Sequence, residues 1–142
     1  MRGRRLAALA FVAAVIGGVR ALAAAEPFAD PASFTCAACG MKAETAARFS
    51  ARLTSGGATQ YFCDIGDLVW YLGRSQPKDF AAAVHDHPSG AWIDARAAFY
   101  AIDKKAYATP MGWGVAAFRD RAAAGQAGRA VLDFEALRGA LR

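Results

Sequence analysis

The chain has 142 residues, 17 basic against 12 acidic, with a formal charge of +5 at neutral pH. Residues 1–25 carry four of the cations (Arg2, Arg4, Arg5, Arg20) and no anion, so the remainder holds 13 cations against 12 anions. The basic pI is therefore no argument for nucleic acid or an acidic partner, and the 117 residues from Glu26 onward suffice for one compact domain.

The opening reads as a secretory signal peptide. Arg2, Arg4 and Arg5 precede the apolar run Leu6–Val19, and the Ala-x-Ala patterns at Ala21-Leu22-Ala23 and Ala23-Ala24-Ala25 follow. The run is short for a transmembrane span. Cleavage is expected after Ala25, leaving residues 26–142 in the periplasm. No cysteine lies near that site to accept a lipid, and no membrane anchor is evident after cleavage.

Residues 26–35, with two prolines, read as an extended lead-in. Cys36-Ala37-Ala38-Cys39-Gly40-Met41 comes next. Arg48–Thr54 alternates apolar and polar, which predicts a half-buried strand. Ser55-Gly56-Gly57 is a turn, and Thr59–Cys63 the returning strand. Asp64 is placed as the N-cap of a helix over Ile65–Leu72, with Asp67 as a stand-in for the capping-box acid and Gly73 as the stop. Ile65, Leu68, Val69 and Leu72 share its apolar face. Strands are expected over Ala81–His87, Ala91–Asp94 and Phe99–Asp103, with a solvated turn at Lys104-Lys105. Val115–Ala124 reads as a helix closed by Gly125 or Gly128. A short strand over Arg129–Leu132 then leads to a helix over Phe134–Leu141, capped by Asp133.

Setting Ala58–Leu72 over Ala127–Leu141, an offset of 69 residues, matches Asp64 to Asp133, Ile65 to Phe134, Leu68 to Leu137 and Leu72 to Leu141. The same offset carries Met41 to within one residue of Met111. The expected fold is α+β, with two similar strand–strand–helix halves over roughly 36–74 and 92–142 packed as one domain. Met41 and Met111 are then expected near one cleft.

Soft sulfur donors dominate the chemistry. Thiolates and thioethers select Cu(I), zinc or iron–sulfur clusters over hard cations, and a thioether beside thiols favours Cu(I) over zinc. Met41 and Met111 both sit in glycine-flanked loops outside any long apolar run, where a core filler would be expected. The pair Cys36 and Cys39 has three readings: a soft-metal site, a disulfide or redox pair, or half of a zinc knuckle. Three cysteines is an odd count for an exported chain, so at least one thiol is left for a metal, for solvent or for another chain. Cys63, beside a helix start, reads as a small buried hydrophobe or a third sulfur ligand. His85 and His87 read as a solvated polar loop, or one of them as an imidazole ligand. Asp64, Asp67 and Asp94 read as caps and turn acids. No Ser/His/Asp set, paired carboxylates or phosphate loop is present in the sequence, which points away from an enzyme of those kinds.

Together, Cys36-Ala37-Ala38-Cys39-Gly40-Met41, Phe62-Cys63-Asp64-Ile65-Gly66-Asp67-Leu68 with Tyr71-Leu72, Trp92-Ile93-Asp94-Ala95 with Phe99-Tyr100, and Thr109-Pro110-Met111-Gly112-Trp113-Gly114 through Phe118 resemble the NosL family. These are accessory proteins of nitrous-oxide reductase. The resemblance implies a periplasmic copper chaperone, not an enzyme, that holds Cu(I) and delivers it to nitrous-oxide reductase or another copper-requiring protein. It also implies two ββα-type halves. Its sulfur-rich metal site maps to Cys39, Met41 and Met111, with Cys36 or a histidine as further donors. Cys63 departs from the common pattern and opens a three-thiol variant. The rival from another class is a thiol-dependent lyase or disulfide oxidoreductase working through Cys36 and Cys39.

Overall fold

The computed structural model describes residues 30–126 and 129–142; the expected signal peptide and Gly128 lie outside them. The alternation around residue 50 produces strand β3 (Ala51–Ser55), which pairs antiparallel with β4 (Ala58–Phe62). Gly56 and Gly57, at φ 57° and 79°, form the two-residue turn between them, the left-handed pair that matches strand twist in a tight hairpin. Strands β5 (Ala81–His85) and β6 (Trp92–Asp94) extend the sheet in the order β4-β3-β5-β6. Ala51, Leu53, Ala82 and Val84 are buried, whereas Arg52 and Thr54 on β3 face away from the core.

Helix α1 (Ile65–Ser75) begins where β4 ends and packs against β3 and β4. Ile65, Leu68, Val69 and Leu72 are its buried stripe, as the 3.6-residue spacing predicts. Each such side chain contributes about 1.5–3 kcal/mol on leaving water. Helix α1 passes Gly73 and ends at Ser75, where Gln76 takes a left-handed conformation (φ 43°) and donates its N–H to Leu72 O. The expected stop at Gly73 is thus displaced; packing carries the helix through one poor former.

Two hairpins flank this unit. Strands β1 (Ser33–Thr35) and β2 (Lys42–Glu44) pair across the Cys36–Met41 loop, so the lead-in ends in a strand and its partner is new. Strands β7 (Phe99–Ile102) and β8 (Val115–Phe118) pair antiparallel. The helix expected over Val115–Ala124 is therefore strand β8 followed by a single helical turn, α2 (Arg121–Ala124). All four β8 residues are buried, and a short apolar run of this kind carries no period that separates strand from helix.

Helix α3 (Phe134–Ala140) is capped by Asp133, which accepts from Ala136 N, and packs Phe134 and Leu137 into the core beside α1. The expected strand before it contracts to one bridge, Leu132 with Tyr100. The fold is α+β as expected, and a hairpin followed by an Asp-capped helix occurs twice, β3-β4 before α1 and β7-β8 before α3, in sheets of different size. Capped helices α1 and α3 recur; the four-stranded sheet before and after α1 has only a two-stranded counterpart. No helix among the described residues is long and apolar enough to cross a membrane.

Candidate metal centre

Two loops converge on the N-terminus of α1. The first is the β1–β2 connection. Cys36 N donates to Met41 O (2.8 Å) and Gly40 N to Cys36 O (2.9 Å), which folds the six-residue motif on itself. Ala37 N donates to Tyr61 O (2.9 Å), tying the loop to β4. Cys63 follows directly at the β4–α1 junction, and Asp67 lies in the first turn of the helix.

This places Cys36, Cys39, Cys63 and Asp67 together, with one potential ligand atom from each inside a set spanning no more than 4.8 Å. Cys39 Sγ and Cys63 Sγ are 3.6 Å apart. Asp67 Oδ2 lies 3.5 Å from both Cys36 Sγ and Cys63 Sγ. Cys36 Sγ also accepts from Cys63 N at 3.5 Å. Cys36, Cys63 and Asp67 are buried; Cys39 alone among the four is partly exposed. Burial is the main cause that pushes the Cys39 and Cys63 thiols above their ordinary pKa. A metal that enters must displace the protons of these two thiols.

The second loop, Thr109–Gly114, covers the cluster. Asp64, fully buried, accepts from Gly66 N (3.0 Å) through one oxygen and from Met111 N (3.1 Å) through the other. One carboxylate thus caps α1 and holds the Met111 loop. Burial raises its pKa, against the hydrogen bonds from Thr109, Gly66 and Met111 that lower it. Trp113 Nε1 donates to Asp67 Oδ1 at 3.0 Å, leaving Oδ2 to the thiols. The indole lies so close to the helix that a Cβ on Gly66 would fall 2.0 Å from Trp113 Cγ. Glycine at 66 is what lets Trp113 reach the carboxylate.

A cleft of about 240 Å³ opens over the cluster, lined by Ala38, Cys39, Asp67, Trp70, Met111 and Trp113. Met41, Trp70 and Met111 are the large apolar side chains left exposed among the described residues. Met111 reaches the cleft as expected; Met41 is exposed beside Cys36 but is not among the lining residues.

The histidines are elsewhere. His85 is buried, its Nδ1 2.8 Å from Gly90 O, its Nε2 2.7 Å from Thr45 O, and its ring stacked on Trp92. His87 packs among Phe49, Tyr107 and Phe118 with its Nδ1 buried and unpartnered. Burial lowers its pKa, Arg48 adding to the effect. His85 belongs to strand β5 and not to a solvated loop, whereas His87 opens the turn before exposed Pro88 and Ser89 with its ring turned onto aromatics; neither joins the thiol cluster. Asp94 is the turn acid expected, accepting from Arg96 N. Asp67 is the residue misplaced by sequence reasoning, since its side chain turns to sulfur and indole instead of completing a capping box. The available signal was its spacing, one helical turn beyond Cys63 and on a helix that begins at once.

Chemically the arrangement offers three soft sulfurs, one carboxylate oxygen, and a thioether at the mouth. That set suits a thiophilic cation. A model of the NosL family matches residues 27–137. Among solved structures, the crystal structure of the copper chaperone NosL from Shewanella denitrificans superposes with a TM-score of 0.63 at 19% identity, covering 78% of this chain and 93% of that one. At this identity the likeness establishes a common fold. No curated protein matches.

Proposed function

The chain belongs to the NosL family, and from that premise we propose that it is a periplasmic copper chaperone, not an enzyme, that receives Cu(I) and passes it to nitrous-oxide reductase or a related copper protein. Cys36, Cys39 and Cys63 are the thiol donors, Asp67 the fourth group of the inner cluster, and Met111 the thioether at the entrance. His85 and His87 stay outside the ligand set, and Met41 is an outer donor on the same loop.

The observation that carries this reading is the spacing of the four donors. A tetrahedral centre with metal–sulfur bonds of ~2.3 Å and a metal–oxygen bond of ~2.0 Å has S···S edges of roughly 3.8 Å and S···O edges of roughly 3.5 Å. Three of the six edges here are 3.6 Å between Cys39 and Cys63 and 3.5 Å from Asp67 to each of Cys36 and Cys63, and all six lie within 4.8 Å. Such a set takes zinc as well as Cu(I); the Met111 thioether at the mouth favours Cu(I). Partial exposure of Cys39 supports transfer by ligand exchange, because an acceptor's sulfur can reach the ion there while the buried donors still hold it. The rival thiol enzyme needs a nucleophile with a lowered pKa. Burial moves Cys39 and Cys63 upward, against a thiolate nucleophile at either position.

The test is an anaerobic Cu(I) titration of the reduced protein against a chromogenic chelator, followed by mixing with copper-free nitrous-oxide reductase. One equivalent bound, weakened on the order of tenfold in Met111→Leu and then lost to the reductase, supports the proposal. Failure to compete for Cu(I) overturns it.

A further inference from the structure

We infer that Cys39 and Cys63, not the adjacent pair Cys36 and Cys39, form a disulfide when no metal is held, and that this bond shuts the metal site. The regulatory half of the inference rests on the copper reading above; the identity of the pair rests on geometry alone. Cys39 is the one thiol of the cluster that lines the open cleft, while Cys36 and Cys63 are 2% and 1% exposed. An incoming oxidant therefore meets Cys39 first. Cys63 Sγ waits 3.6 Å away, and an S–S bond of ~2.05 Å asks the two sulfurs to approach by about 1.5 Å. Cys36 is engaged differently, its sulfur taking the Cys63 N–H and facing Asp67.

The oxidant is a small disulfide such as oxidised glutathione. Cys39, as thiolate, attacks one sulfur of that disulfide; its S–S bond breaks and one glutathione leaves with the proton Cys39 gave up. Cys63 then attacks the Cys39 sulfur of the mixed disulfide, and the second glutathione leaves. The Cys63 proton passes to it by way of Asp67 and solvent. Two protein thiols are oxidised and one disulfide is reduced to two thiols. The closed form retains only Cys36 and Asp67 from the inner cluster. A bound ion blocks exchange by occupying both sulfurs.

The experiment exposes the reduced, metal-free protein to millimolar oxidised glutathione, alkylates what remains free, and maps the link by non-reducing peptide mass spectrometry. The expected result is a Cys39–Cys63 link with Cys36 alkylated, at least tenfold weaker Cu(I) binding, and recovery with dithiothreitol. Cys36→Ser is expected to lose both of its remaining thiols under the same treatment. A Cys36–Cys39 link, three free thiols, or unchanged Cu(I) affinity in the linked protein overturns the inference. If the reduced protein takes no Cu(I) at all, the chaperone reading fails, while the peptide map still decides the pairing.

Discussion

Asp67 is the residue on which sequence and structure differ most usefully. At the third position of a helix an acid ordinarily completes a cap or complements the dipole. Here its two oxygens divide, Oδ1 to the Trp113 indole and Oδ2 to the sulfurs of Cys36 and Cys63. Replacing it with asparagine keeps an acceptor for the indole but removes the negative charge from among the thiols. Asp67→Asn is expected to hold its thermal midpoint within a few degrees of the wild type while Cu(I) affinity falls on the order of tenfold to a hundredfold, as for groups that orient or supplement metal ligands. Parallel melting curves and chelator competition measure the two effects. A loss of fold with unaltered affinity would make Asp67 a structural acid and nothing more.

At the scale of elements, the two Asp-capped helices make different demands. Asp133 caps α3 at the surface, through one bond to Ala136 N. Asp64 caps α1 in full burial and also takes the Met111 N–H. Asp133→Ala is expected to cost about 1 kcal/mol. Asp64→Ala is expected to cost about 2 kcal/mol or more, because it also leaves a loop donor without a partner. Urea unfolding midpoints of the two variants measure the difference, and equal losses would mean that the Met111 loop is held by something else. The caps, helix α1 and the β3–β4 hairpin were legible in the sequence because capping acids, the 3.6-residue stripe and a Gly-Gly turn are local signals. The β1–β2 hairpin was not, since three-residue strands carry no period. Strand β8 was misread for a related reason: Val115-Ala116-Ala117-Phe118 suits either element, and only pairing with β7 decides. The cysteines were legible as a cluster of soft donors, but their convergence with Asp67 depends on two loops meeting 24–31 residues apart.

Across the whole molecule, the histidine whose protonation burial opposes is not a member of the thiol cluster. His87 sits in an aromatic box, its Nδ1 buried, with Arg48 donating to its carbonyl and Asp86 beside it. Its folded pKa lies below the ordinary 6.5. Below that value the unfolded chain binds the proton more readily than the folded one, so the contribution to stability is complete above pH 6.5 and drains away as the pH falls toward the lowered pKa. Asp64, whose pKa is raised from 3.8, works with the opposite sign above that value. A His87→Phe variant isolates the histidine: its midpoint is expected to fall less than that of the wild type between pH 7 and pH 5, and parallel curves would remove His87 from the account. Metal binding belongs to the point where the three thiols and Asp67 converge. Copper K-edge absorption of the reduced protein loaded anaerobically with one equivalent of Cu(I) tests it most directly. Sulfur at ~2.2–2.3 Å is expected to dominate the shell around the ion; nitrogen and oxygen alone would mean that the thiols do not hold it.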